Sequence, residues 1–117
     1  MRKSGAILDL ELTPYPMWLH LYTDRGRYRR AVNAAVRNHV ACDSVRNVDG
    51  LCSVKDGVIW VGVFDGDGGT LVHELTHAAE HIAEYIELPR GWRNIEPIAH
   101  LMGFMFRRCS AALKGAR

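Results

Sequence analysis

Between residues 6 and 12 apolar side chains alternate loosely with polar ones, the period of a half-buried strand. Thr13-Pro14-Tyr15-Pro16 breaks the pattern, because a residue preceding proline is held in extended backbone. Residues 17–22 read as a second short strand, with Trp18, Leu19, Leu21 and Tyr22 apolar. The period then lengthens. Tyr28, Ala31, Val32, Ala35 and Val36 recur at helical spacing, which predicts a helix over residues 25–38 with Thr23 or Asp24 as its cap. Arg27, Arg30, Asn33 and Arg37 fall on its other side.

After a polar, irregular stretch, residues 51–54 and 58–64 form two β-rich runs around Lys55-Asp56-Gly57, a hairpin turn. The second run is apolar at nearly every position, which predicts a strand covered on both faces. Asp65-Gly66-Asp67-Gly68-Gly69 ends it. This segment faintly resembles a calcium loop, but Thr76 stands where such a loop needs its glutamate; it is read as a turn with a helix start inside. A helix is predicted over residues 70–87, stopping before Pro89-Arg90-Gly91. Asn94 is expected to cap a last helix reaching about residue 113, with Pro97 in the first turn. Residues 98–106 are apolar almost all round, the pattern of a helix packed deep in a domain. No repeat or linker divides the chain, so the expectation is one α+β domain over residues 1–117 with a short, mostly antiparallel sheet.

Composition narrows the function classes. Hydrophobic residues make up 48% of the chain and charged residues 24%, a globular balance that argues against disorder. The longest apolar run is far shorter than the roughly 20 residues of a membrane span, and no signal-like segment follows the N-terminus. With a net charge of +2, the chain lacks the dense basic footprint of a nucleic-acid domain. Cys42, Cys52 and Cys109 are an odd set without a disulfide spacing, which reads as reduced thiols in a cytoplasmic protein.

The histidines carry the chemistry. His73-Glu74-Leu75-Thr76-His77 is an HExxH string, which composition alone would produce in about one chain in a hundred. Its setting inside an amphipathic helix makes it informative. At 3.6 residues per turn, His73 and His77 lie one turn apart and about 40° apart around the axis, so two imidazoles can reach one ion at about 2.0–2.1 Å. Leu71, Leu75, Ala78, Ile82 and Ile86 form the opposite, core-facing stripe. Glu74 projects beside the first histidine, where it can take a proton from a metal-activated water.

A catalytic zinc needs a third protein ligand and an open position. His81 lies about 12 Å along the helix from His73, too far for one ion to bridge, and reads as a surface or supporting residue. Glu96 follows at the start of the next helix, in Asn94-Ile95-Glu96-Pro97-Ile98-Ala99-His100. HExxH followed by a glutamate on the next helix resembles the thermolysin-like, or gluzincin, zinc peptidases, which implies zinc held by His73, His77 and Glu96. Where those enzymes commonly place an aspartate four residues after the glutamate, this chain has His100. That histidine is a candidate oxyanion donor, a support for a ligand, or a zinc ligand itself, as in SprT-type proteases, which complete HExxH with a third histidine. Asp49-Gly50-Leu51-Cys52-Ser53-Val54 resembles, in inverted order, the cysteine segment of peptide deformylases; Cys52 is read in preference as a small buried thiol.

The order strand, helix, hairpin, HExxH helix, glutamate helix is similar to the minimal zincin core of short bacterial and phage metallopeptidases. The resemblance implies peptide-bond hydrolysis with Glu74 as general base, one zinc ion per chain and a peptide or protein substrate. By the same analogy residues 58–64 would be the strand that guides substrate. Two other readings stay open at this point: a non-catalytic zinc-binding regulatory module, and a DNA-associated protease with His100 as third ligand. For the latter, the arginines at 25, 27, 29, 30 and 37 are more simply a solvated face.

Overall fold

The computed structural model describes residues 5–36, 45–88 and 95–116. The elements are β1 (Leu8–Glu11), β2 (Trp18–Tyr22), α1 (Arg25–Ala35), β3 (Gly50–Lys55), β4 (Val58–Val63), α2 (Gly68–Tyr85) and α3 (Ile95–Gly115). The four strands form one mixed sheet in the order β1-β2-β4-β3. The β1/β2 and β3/β4 pairs are antiparallel, and the central β2/β4 pair is parallel. The chain is an α+β domain, as its strand and helix periods predict.

Two-residue alternation along the strands sends side chains to opposite faces. On one face Leu10, Leu19, Leu21, Ile59, Val61 and Val63 meet α2 and α3, whose Leu71, Leu75, Ala78, Ile82, Leu101, Met105, Cys109 and Leu113 complete the main core. On the other face Tyr22 and Trp60 pack with Tyr28 and Val32 of α1 and with Val45. The Tyr28 and Ser53 hydroxyls share a 2.6 Å hydrogen bond inside this second cluster. Burial pushes the Tyr28 hydroxyl far above its ordinary range. Strand β4 is covered on both faces and buried from Ile59 to Val63, which accounts for its continuous apolar pattern.

Local chemistry sets the ends of the elements. Asp24 caps α1 by accepting from the Arg27 amide, and Asp67 caps α2 by accepting from the Gly69 and Thr70 amides. The β3–β4 turn places Asp56 and Gly57 at φ of 50° and 80°, the positive pair that a two-residue type I′ hairpin requires. The aspartates of the Asp65–Gly69 segment serve the helix start. Asp65 accepts from the Asp67 amide and the Thr70 hydroxyl, contacts that hold its carboxyl below the usual range.

Three sequence expectations need correction. The α1 helix ends at Ala35, with Val36 as its C-cap, and Ala35 is exposed because only Tyr28 and Val32 meet the sheet squarely; residues 37 and 38 lie outside the described residues. The last helix is not buried all round between residues 98 and 106. It packs through Leu101, Met105, Cys109 and Leu113, at four-residue spacing, while Ala99 and Phe106 are exposed. A helix laid on one side of a sheet buries one stripe, whatever apolar residues occupy the rest. Strand β4, expected to guide substrate, is a central strand paired with β2 on one edge and β3 on the other, so it presents no open edge to which a peptide could add. The strand at the sheet edge beside α2 is β3. Asn94, the expected cap of α3, lies outside the described residues.

Candidate metal centre

The amphipathic pattern of α2 separates two functions on one rigid element. Leu71, Leu75, Ala78 and Ile82 are fully buried, while His73 and His77 are exposed on the other side. Their rings stand 5.0 Å apart between centroids at 72°. One ligand atom from each of His73, Glu74 and His77 falls within 4.8 Å of the others, and among the described residues this is the group able to hold a metal. Two imidazoles one helical turn apart suit zinc, and the carboxylate beside them could either bind such an ion or act on a water held by it.

Glu74 differs from its neighbours. Its side chain is only 8% exposed, against 68% for His73, and its Oε2 lies 4.0 Å from His73 Nε2. Edge strand β3 covers it. An ideal Cβ at Gly50 would stand 2.7 Å from Thr70 Cγ2, 2.8 Å from the Gly62 carbonyl and 3.0 Å from Glu74 Cγ. Burial pushes the Glu74 carboxyl above its ordinary value, with the two neighbouring histidines partly opposing the shift. A carboxyl so placed holds a proton more readily than an exposed one, and it stands beside the two imidazoles where a proton could be exchanged.

The group opens into a cleft of about 410 Å³ lined by Asp49, Gly50, Asp67, Thr70, His73 and Glu74, among others. In the sequence Asp49 and Gly50 stand out only as neighbours of Cys52, not as residues of the HExxH site. No periodicity marks them, because their role comes from the β3 edge meeting the first turns of α2.

The remaining sequence candidates lie elsewhere. Glu96 and His100 sit one turn apart on α3, 80% and 85% exposed, with Oε2 and Nε2 3.7 Å apart; neither belongs to the group formed by His73, Glu74 and His77. His81 Nδ1 lies 3.9 Å from Glu84, in keeping with a surface or supporting role. Cys52, half-buried on β3, has its thiol pushed up to about 12 by burial and then by the charge of Glu74, and it too lies outside the group. Arg25 donates from its guanidinium to the Val45 and Val48 carbonyls and stands over the Phe64 ring, so it serves the fold rather than a basic patch. Trp60 is a core residue and Trp18 is 43% exposed. Among the described residues no helix is long and apolar enough to cross a membrane. Comparison with protein-family models, with curated proteins and with solved structures finds no match to this chain, so a functional reading of this centre rests on the chemistry of its own residues.

Proposed function

We propose that this chain is a zinc-dependent peptidase in which His73 and His77 hold one zinc ion and Glu74 is the general base. The observation that carries the reading is the placement of Glu74: a carboxylate buried beneath an edge strand, next to two exposed imidazoles on one helical face. A purely structural metal site has no use for it. When bound, zinc lowers the pKa of a coordinated water toward about 7 and polarises a carbonyl oxygen.

Glu74 accepts the water's proton as the water attacks the scissile carbonyl, and returns it to the leaving amine. Its poorly solvated carboxylate supports both transfers. Strand β3 has an unpaired edge among the described residues, next to Glu74, and an extended peptide can add to it through main-chain hydrogen bonds. The third ligand is drawn from the first turns of α3, which packs on α2. Glu96 is favoured on the resemblance to gluzincins, with His100 as hydrogen-bond donor to the developing oxyanion or as the alternative ligand.

The test is zinc content per chain after purification without chelator or added metal, followed by cleavage of a quenched peptide library. About one zinc per chain, with cleavage lost in Glu74→Gln, supports the reading. No zinc, and none taken up on titration, overturns it.

A further inference from the structure

The cleft beside His73 is acidic on the side away from the second histidine. Asp49 and Asp67 line it, both exposed, and no lysine or arginine does so among the described residues. The start of a helix ordinarily favours anions, because its first amides lack partners. Here Asp67 Oδ2 already accepts from the Gly69 and Thr70 amides, at 3.1 and 3.4 Å. An incoming anion would therefore meet carboxylates rather than free donors.

The Asp49 carboxylate makes no hydrogen bond or ion pair with another described residue, although its carbonyl accepts from the Phe64 amide. A second, independent feature points the same way. Glu74, more than nine-tenths buried, reaches the same cleft with no hydrogen-bond partner among the described residues; His73 Nε2 stands 4.0 Å from its Oε2. Three carboxyl groups thus converge on one volume that no lysine or arginine lines among the described residues, and of the three only Asp67 takes amide hydrogen bonds. The Arg25 guanidinium is engaged by the Val45 and Val48 carbonyls and stacks on Phe64.

We propose that this cleft is a subsite for a cationic group of the substrate, an amine or guanidinium carried by the residue next to the scissile bond. The proposal rests on the peptidase reading and narrows it to basic peptides. A peptide paired along β3 passes Gly50, which lines the cleft, and so delivers one side chain or its free N-terminus between Asp49 and Asp67. The cleft volume of about 410 Å³ is ample for either.

The experiment measures binding rather than turnover. Zinc-loaded full-length chain is titrated calorimetrically with peptide hydroxamates bearing arginine, lysine, norleucine or glutamate on either side of the hydroxamate, each with a free or an acetylated N-terminus. Two solvent-facing carboxylates predict about tenfold tighter binding of the cationic peptides than of norleucine, and weaker binding of glutamate. The preference should shrink as salt rises. It should fall below about twofold in Asp49→Asn/Asp67→Asn, where asparagine retains the helix cap. A gain from arginine or lysine assigns the subsite to a side chain, and a gain confined to free N-termini assigns it to the ammonium. Equal binding across the series, unchanged in the double variant, overturns the subsite and leaves the metal centre standing. Failure of every hydroxamate to bind overturns the peptidase reading and the subsite with it.

Discussion

Glu74 lies beneath Gly50, and the two are that close only because position 50 has no side chain. A Cβ there would meet Glu74 Cγ at 3.0 Å and, still closer, Thr70 Cγ2 and the Gly62 carbonyl. The edge strand and α2 are in effect joined at the carboxylate on which the proposed chemistry depends. Gly50→Ala should therefore destabilise the fold by about 1–3 kcal/mol and release Glu74 toward solvent. Adding Thr70→Ser removes the closest of the three contacts and should restore part of that loss. Denaturant unfolding of the two single variants and the double variant gives the coupling; additive effects would show that the contact does not matter.

The burial of Glu74 also predicts a pH dependence for the metal-free protein. A carboxyl whose pKa is raised on folding binds more protons folded than unfolded, so stability falls as pH climbs from its ordinary value of 4.5 through its folded value. Glu74→Gln removes that cost. The variant should melt with the parent at about pH 4 and above it at about pH 8, when metal is absent. An unchanged difference across the range would show that Glu74 is not a buried acid. With zinc bound and a peptide supplied, the same variant should keep its metal and lose activity by at least about a hundredfold.

Metal affinity should separate the histidines. His73→Ala and His77→Ala each remove half of the pair that faces one point on α2 and should weaken zinc binding by roughly a hundredfold or more. His81→Ala should leave it within about twofold, because that ring lies two turns from His73. Glu96→Ala and His100→Ala, compared by competitive chelation, decide the third ligand. The residue that supplies it should show a loss of the size seen for His73.

The polar pair in the second core is a separate test of the fold. Tyr28 Oη and Ser53 Oγ are 2.6 Å apart and buried, and they fix α1 to β3. Tyr28→Phe leaves the serine without that partner and should cost about 1–2 kcal/mol, while Tyr28→Phe/Ser53→Ala should cost less than the sum of the single changes. Thermal unfolding of the three variants checks this.

Much of this architecture is legible along the chain. The strand at β2, the turn at Asp56-Gly57, the helix start within residues 65–69 and the apolar stripe of α2 all depend on neighbours within a few residues, where backbone sterics and periodicity act directly. The same holds for His73, Glu74 and His77, because helix geometry brings positions one turn apart together wherever the helix lies. Burial around α3 was less legible: an apolar surface on all sides does not say which stripe meets a partner. The expectation that residues 58–64 would guide a substrate fails on a related ground, since a run of apolar residues marks a central strand, and a central strand has no free edge.

The sequence by itself determined the HExxH face, the hairpin and the α+β class, because each follows from local covalent and steric rules. Only the tertiary structure decided that β3, and not β4, forms the edge beside α2, that Gly50 closes over Glu74, and that Asp49 joins Asp67 at one cleft. Those relationships join residues about 20 positions apart. They arise from the order in which strands pair and from the way one helix face settles on the sheet, and no local rule specifies either.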